Sequence, residues 1–300
     1  MLIKLKVKFM GYLRQRKNER RTDIILKGIL FVMFALIAAS FYGGSEGMFY
    51  YINALRFHYY LIIFVTLIYC LYRRFFMYSF FFVLLLVFSF VSIGYSSGVL
   101  FNMTKKDGRE ISLLYVNAVD SSNYDDVLSR AKSLDTDFVA VNGQRKQEGS
   151  ETVNMILGNA DALREGIIRL SNNYNSYFAV FDIDNKEVVL VSVDFSGISM
   201  KEAKIVYANL AEFVNLQENP VIVFGDFGLS AWNKRLINFT NSTNLEVKNR
   251  IILTDGKYRF NIFDIPTINV LGYKNMGLEK VSFLPKGHNA KHPILFKLVF

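Results

Sequence analysis

The chain has 300 residues, 52% of them hydrophobic, and a formal net charge of +9. Residues 1–100 hold 12 of the 35 Lys and Arg residues but only three acidic ones, Glu19, Asp23 and Glu46. The rest of the chain is therefore neutral, which argues against nucleic acid as a partner. The single cysteine, Cys70, excludes an intramolecular disulfide, and it leaves residues 101–300 without a thiol nucleophile or cysteine ligand.

Three apolar runs occupy most of the first hundred residues. A spanning helix needs about 20 mostly apolar residues, and residues 24–42 and 75–95 reach that length. The middle run, 59–72, is long enough only when it is extended back to residue 55 through aromatic residues. We therefore predict three transmembrane helices within residues 24–100, with two spans and one interfacial segment as the alternative. A cleaved signal peptide is disfavoured because two further apolar runs follow the first.

Basic residues beside these runs predict the orientation, because cytoplasmic loops are enriched in Lys and Arg. Nine Lys and Arg residues lie between Lys4 and Lys27, and Arg73 and Arg74 separate the second run from the third. Both groups fit the cytoplasmic side if residues 1–23 form a basic cytoplasmic segment that contacts anionic lipid. Three spans then place the following domain outside, in the periplasm of a Gram-negative cell. Three basic residues just after position 100 oppose this orientation but are outnumbered.

Beyond residue 110, short β-rich runs alternate with helical stretches, which predicts a mixed α/β domain. The helix predicted at 199–216 is amphipathic, and Ser199 followed three residues later by Glu202 forms a capping box at its start. Residues 184–186 predict the turn of a hairpin. Helices are predicted at 124–134 and 199–216, and strands at 111–116, 138–141, 177–182, 187–193, 220–224, 268–271 and 294–299.

Four segments carry recognisable motifs in a fixed order. A buried strand leads to Asn117, and after a helix comes the stretch Asp137-Phe138-Val139-Ala140-Val141. Later, the apolar strand at 220–224 leads into Gly225-Asp226-Phe227, and Lys291-His292-Pro293 comes just before the last strand. This order resembles the endonuclease/exonuclease/phosphatase superfamily, whose corresponding motifs end in GDFN and SDHxP. The resemblance covers residues 110–300 and implies a two-sheet α/β sandwich, here behind an N-terminal transmembrane region as in some bacterial members.

The resemblance also implies a chemistry, which is metal-assisted hydrolysis of phosphate esters. In that chemistry a divalent ion, usually Mg²⁺, sits on carboxylate and amide oxygens and polarises the phosphate. Asn117 and Asp226 match family positions near the metal and are the candidate metal ligands. Asp226, His292 and Asp194 are the candidate catalytic residues, in vestigial form, because Asp194 stands where the family has a histidine.

Several family residues are replaced in this sequence. Gly143 stands where the resemblance implies the metal-binding Glu, Gly228 replaces an Asn, and Asn269 replaces an Asp. Near the C-terminus, two alignments to the final motif are possible. Aligning Pro293 puts Lys291 in place of the motif's His, whereas a shift by one residue keeps His292 and puts Lys291 in place of the Asp. His288 and His292 are the only histidines after residue 100, and both lie in the last loop.

These replacements predict a catalytically degenerate domain, because residues of one active site act as a unit. We expect no cofactor, and we expect the bilayer and an envelope protein or ligand as partners. One alternative is an active phosphodiesterase or phosphatase that uses Mg²⁺ with altered site chemistry. The other alternative is a structural membrane subunit. The kinase-like triplet Asp226-Phe227-Gly228 has no accompanying Gly-rich loop or catalytic loop, so a kinase is disfavoured.

Overall fold

The structure is a computed structural model that describes residues 2–42, 52, 55–97, 108–118, 129, 132–144, 152–231, 233–248, 267–273, 275–284 and 293–299. The chain divides into two compact units, Met1–Gly44 with Met48–Ser92, and Ser45–Gly47 with Ile93–Phe300. Most of the helix predicted at 124–134, and the last loop with His288 and His292, lie outside the described residues.

The first unit is helical in its described part. Its helices are α1 (Leu2–Tyr42), α2 (Arg56–Tyr72) and α3 (Phe76–Ser97). Within α1, the stretch Asn18–Ala39 is long and apolar enough to cross a membrane by length and composition. The apolar stretches His58–Tyr72 and Phe76–Val91 are shorter. Among the described residues, one helix is therefore long and apolar enough to span a membrane, whereas three such helices were predicted.

The three helices pack around a shared apolar cluster that includes Leu26, Ile63 and Phe82. Two hydroxyl groups add hydrogen bonds between helices. The Tyr78 hydroxyl in α3 donates to the Asp23 carboxylate in α1, and the Tyr60 hydroxyl in α2 donates to the backbone carbonyl of Ser89 in α3. Large apolar side chains also cover the outside of the unit, among them Phe31 (73% exposed), Met77 (76%) and Phe80 (61%).

The second unit contains two β-sheets. Two helices are described in this unit, α4 (Met200–Asn215) and α5 (Lys234–Thr243). The strands are β1 (Glu110–Ala118), β2 (Phe138–Gln144), β3 (Thr152–Gly158), β4 (Arg164–Arg169), β5 (Asn175–Ile183), β6 (Lys186–Asp194), β7 (Val221–Asp226), β8 (Glu246–Val247), β9 (Ile268–Gly272), β10 (Gly277–Phe283) and β11 (Ile294–Val299). The first sheet has the strand order β10-β11-β1-β2-β3, and the second has the order β4-β5-β6-β7-β9-β8.

An apolar core fills the space between the sheets. Leu113 and Phe296 of the first sheet pack in one buried cluster with Phe181, Leu190 and Phe224 of the second. Residues on this inner face alternate with outward ones, as expected for strands whose successive side chains point to opposite faces. The predicted α/β class and the two-sheet arrangement are therefore confirmed.

All seven predicted strands are present, and four further strands were not predicted from the sequence. Strands β3, β4, β8 and β10 all lie at the edges of their sheets. An edge strand has a neighbour on one side only and commonly carries charged residues, so it lacks the continuous apolar run of a central strand. In β4, for example, Arg164, Glu165 and Arg169 are exposed and Ile168 is buried.

Helix α4 begins with the predicted capping box. The Ser199 hydroxyl accepts a hydrogen bond from the Glu202 amide at 3.3 Å and donates one to the Glu202 carboxylate at 2.9 Å. The apolar stripe of the helix, including Val206 and Leu210, is buried. This helix therefore follows its sequence pattern closely.

Replacing the cap should weaken the domain by a measurable amount. We expect Ser199→Ala to lower the free energy of unfolding by about 1 kcal/mol, because a helix-end amide loses its side-chain acceptor. Denaturant unfolding followed by fluorescence of the single tryptophan measures this change. The matched control is Ser196→Ala at an exposed serine outside the helix. Equal effects of the two substitutions would contradict the capping role.

Candidate functional site

The carboxyl ends of four strands meet at one end of the sandwich. Parallel strands β6 and β7 end in register, with Asp194 beside Asp226. Parallel strands β1 and β2 likewise bring Asn117 beside Asn142. Antiparallel strand β9 adds Asn269, which lies opposite Gly225. The topology thus collects polar residues from both sheets at this end, which we call the strand-end site.

A buried hydrogen-bond network forms the floor of the strand-end site. The Tyr115 hydroxyl accepts from the Asp226 amide at 3.2 Å and from the Asn142 side-chain amide at 3.2 Å. The same hydroxyl donates to the Val193 carbonyl at 3.4 Å. The Asn142 amide also donates to that carbonyl at 3.3 Å, and the Ser192 hydroxyl donates to the Asn142 side-chain oxygen at 3.0 Å. These contacts join strands β1 and β2 to strands β6 and β7.

The phenol of Tyr115 keeps its proton in this environment. The side chain is 1% exposed. Burial raises the pKa of Tyr115 well above its usual value, and the negative charges of Asp194 and Asp226 raise that pKa further. Each effect disfavours the phenolate. The neutral hydroxyl can therefore donate to one group and accept from two, as the network requires.

Both candidate carboxylates have backbone donors beside them. Asp226 is 5% exposed, and one of its carboxylate oxygens accepts from the Gly228 amide at 2.8 Å. Asp194 is half-buried, and one of its oxygens accepts from the Ser196 amide at 3.1 Å. Each carboxylate thus stabilises the turn that follows its own strand.

The loop after β7 is fixed by contacts on several sides. The Phe195 amide donates to the Asp226 carbonyl at 2.7 Å, and the Tyr207 hydroxyl of α4 donates to the Phe227 carbonyl at 2.6 Å. The Asn269 side-chain amide donates to the Leu229 carbonyl at 3.2 Å. Asn269 therefore has a structural role in holding this loop.

The structure brings some of the predicted site residues together. Asp194 and Asp226 are neighbours at the strand ends, and the backbone of Asn117 lies at the end of β1. The side chain of Asn117 and all of His292 lie outside the described residues. The catalytic and metal-binding roles assigned to these four residues stay predictions.

Tyr115, Asn142 and Ser192 were not predicted from the sequence as site residues. The available signal was a polar residue inside an otherwise apolar strand, as in the segment around Ser192. Such a residue needs a partner when it is buried. However, the partner lies 50 residues away in the sequence for Ser192 and Asn142, so the sequence pattern alone does not identify the pair.

The described residues do not fit a Mg²⁺ site of the family kind. No group of three His, Cys, Asp or Glu side chains that could hold a metal is found among them. Mg²⁺ prefers several oxygen ligands in octahedral geometry. Gly143 at the end of β2 offers no side-chain oxygen, and the oxygen of the preceding Asn142 accepts from Ser192.

These features define the class of the domain. Its two sheets and helices form an α/β sandwich of the endonuclease/exonuclease/phosphatase type, as the resemblance of the sequence motifs implied. No protein-family model and no curated protein matches the sequence. The fold is therefore established by structural similarity.

Three crystal structures of endonuclease/exonuclease/phosphatase proteins illustrate that similarity. The protein from Bacteroides thetaiotaomicron is 11% identical, with a TM-score of 0.50 over 65% of this chain and 99% of its own. The protein from Bacteroides vulgatus is 11% identical, with a TM-score of 0.51 over 63% and 98%. The protein from Beutenbergia cavernae is 10% identical, with a TM-score of 0.52 over 64% and 72%. At these identities the similarity concerns the fold alone.

Proposed function

We propose that this protein is a membrane-anchored module that binds a partner through a hydrolase fold without hydrolysing phosphate esters. The observation that carries the proposal is the composition of the strand-end site. Its floor is a neutral network of Tyr115, Asn142 and Ser192, and Gly143, the next-to-last residue of β2, stands where the family resemblance implies the metal-binding Glu.

The retained residues serve the loop rather than a metal in this proposal. Asp226 accepts the amide of Gly228, and Asn269 binds the carbonyl of Leu229. Both contacts stabilise the loop that follows β7. Removing several members of a catalytic set together abolishes most of the rate, because the members act as one unit. The fold therefore supplies a rigid surface, and an envelope protein or ligand is the proposed partner.

The experiment that tests this proposal is a hydrolysis assay on the purified full chain in detergent. The substrates are nucleic acid, a phosphoinositide and bis-nitrophenyl phosphate, each with Mg²⁺ or Mn²⁺. We expect the wild-type chain and Asp226→Ala to give the same background rate. The control is Asp182→Ala at an exposed strand residue. Metal-dependent turnover that Asp226→Ala abolishes and Asp182→Ala preserves would establish the alternative, an active phosphoesterase.

We further propose that all three helices of the first unit span the bilayer. The hydrogen bonds between Asp23 and Tyr78 and between Tyr60 and Ser89 support an up-down-up arrangement. Asp23 at the start of the first span lies level with Tyr78 at the start of the third. Tyr60 at the start of the second span lies level with Ser89 in the later part of the third. An exposed surface rich in Phe, Leu and Val suits lipid rather than water.

The proposed arrangement has a topological consequence. With residues 1–23 in the cytoplasm, three spans carry the C-terminal domain to the periplasm. We expect protease added to spheroplasts to digest the domain and to leave an N-terminal epitope tag intact. Protection of the domain until the membrane is lysed would instead require an even number of spans.

A further inference from the structure

The network around Tyr115 has a position that suggests a role beyond packing. Its members come from both sheets, and they meet where the strands β1, β2, β6 and β7 end. In this part of the sandwich the two sheets are joined through polar contacts, whereas apolar side chains fill the core below. The Tyr115 hydroxyl takes part in three of these contacts.

We propose that Tyr115 is the positioning residue of the strand-end site and that its neutral hydrogen-bond network, without a bound cation, holds the two sheets together there. The Tyr115 hydroxyl accepts from the amide of Asp226 itself. It therefore fixes the residue at which β7 turns into the loop. The second part of the proposal rests on the proposed function, whereas the first part is tested by stability and exchange alone.

The ring of Tyr115 reinforces this placement. It packs edge-on against Phe224, with ring centroids 6.3 Å apart. A Cβ atom at Gly225 would lie 3.1 Å from the ring. The ring thus packs against two consecutive residues of β7, and this packing helps to orient its hydroxyl. An ordered hydroxyl loses little further freedom when it forms its hydrogen bonds.

Asn142 completes the bridge from the neighbouring strand. Its side-chain amide donates to both Tyr115 and Val193, and its oxygen accepts from Ser192. Strand alternation turns residue 142 to the same face as Phe138 and Ala140, which belong to the core between the sheets. The inward position at the end of β2 is therefore filled by a neutral amide whose described hydrogen bonds all lie within the protein.

The test compares Tyr115→Phe with Tyr177→Phe in the full chain in detergent. Tyr177 forms its side-chain hydrogen bond with the exposed Glu165, so its loss should be nearly neutral. Tyr115→Phe keeps the ring but leaves buried polar groups without this partner. We expect its unfolding equilibrium constant to rise roughly tenfold or more.

A local measurement separates positioning from general stability. Hydrogen–deuterium exchange of the peptide that contains Asp226 should accelerate in Tyr115→Phe more than exchange in β5. The melting temperature of the wild-type chain should be the same in EDTA, Mg²⁺ and Mn²⁺. Equal unfolding constants for the two variants, uniform acceleration of exchange, or a cation that raises the wild-type melting temperature by several degrees would overturn the proposal.

Discussion

Gly225→Ala is expected to prevent the C-terminal domain from folding stably. Gly225 has a φ of +130°, a conformation that residues with a Cβ rarely adopt. A Cβ at this position would lie 2.1 Å from the Val193 carbonyl oxygen, which belongs to the backbone of the neighbouring strand. The backbone conformation and the overlap together should cost at least about 4 kcal/mol. That loss is comparable to the whole stability of many domains.

Gly197→Ala is the matched control for this substitution. Gly197 also has a positive φ, at +75°, but an added Cβ would meet no atom within 4 Å. Only the conformational cost applies there, so we expect a loss of about 1 kcal/mol. The measurements are the yield of soluble, detergent-extracted chain and its denaturant midpoint. A Gly225→Ala chain that folds as well as Gly197→Ala would show that β6 and β7 can separate freely, contrary to the structure.

We expect the second large effect for Gly228→Asn, a substitution two residues after Asp226. The resemblance of the sequence motifs implies an Asn at the position of Gly228. Here Gly228 has a φ of +61°, which an Asn can adopt. However, a Cβ would lie 2.4 Å from the backbone carbonyl oxygen of Phe195. We therefore expect Gly228→Asn to lower the free energy of unfolding by about 2 kcal/mol and to produce no hydrolysis.

The stability of Gly228→Asn shows whether the loop after β7 has its own conformation or differs from the family loop only by the residue at position 228. If the loop had kept the family conformation, Asn at position 228 would fit and stability would hardly change. The measurement is denaturant unfolding, with hydrolysis of bis-nitrophenyl phosphate in Mg²⁺ as the second readout. Unchanged stability together with new metal-dependent turnover would mean that the site is one substitution away from activity.

The fold was predictable where local pattern and burial agree. Strands β6 and β7 are apolar runs because both are central and buried on two sides. Helix α4 has a stripe of period 3.6 and a capping box, and both signals are local. Strand β4 was missed because its charges and its exposed Ile167 give no continuous apolar run.

The candidate site was predictable only in part, and the reason is the distance along the chain between partners. Asp226 follows an apolar strand within a recognisable motif, so its place at a strand end could be anticipated. The contact between Tyr115 and the Asp226 amide joins residues 111 positions apart. Sequence pattern describes the strand around Tyr115 as apolar, and only the packing of the two sheets gives its hydroxyl a role.

The membrane region was likewise predictable where the signal is local in sequence, and not where a contact joins distant residues. Hydropathy identified the apolar runs, and the structure forms a helix over each of them. The hydrogen bond between Asp23 and Tyr78 joins residues 55 positions apart, so pattern alone could not foresee it. That contact places the start of the apolar stretch of α1 beside the start of α3, and it supports the proposed three spans.

Binding of Mn²⁺ to the purified full chain tests whether the strand-end site holds a metal ion. Electron paramagnetic resonance reports free and bound Mn²⁺ separately, and Asp182→Ala serves as the control for a lost surface carboxylate. We predict that the wild-type chain, Asp226→Ala and Asp182→Ala hold the same small amount of Mn²⁺. One tightly bound Mn²⁺ per chain that is lost in Asp226→Ala and kept in Asp182→Ala would show that the strand-end site is a metal centre.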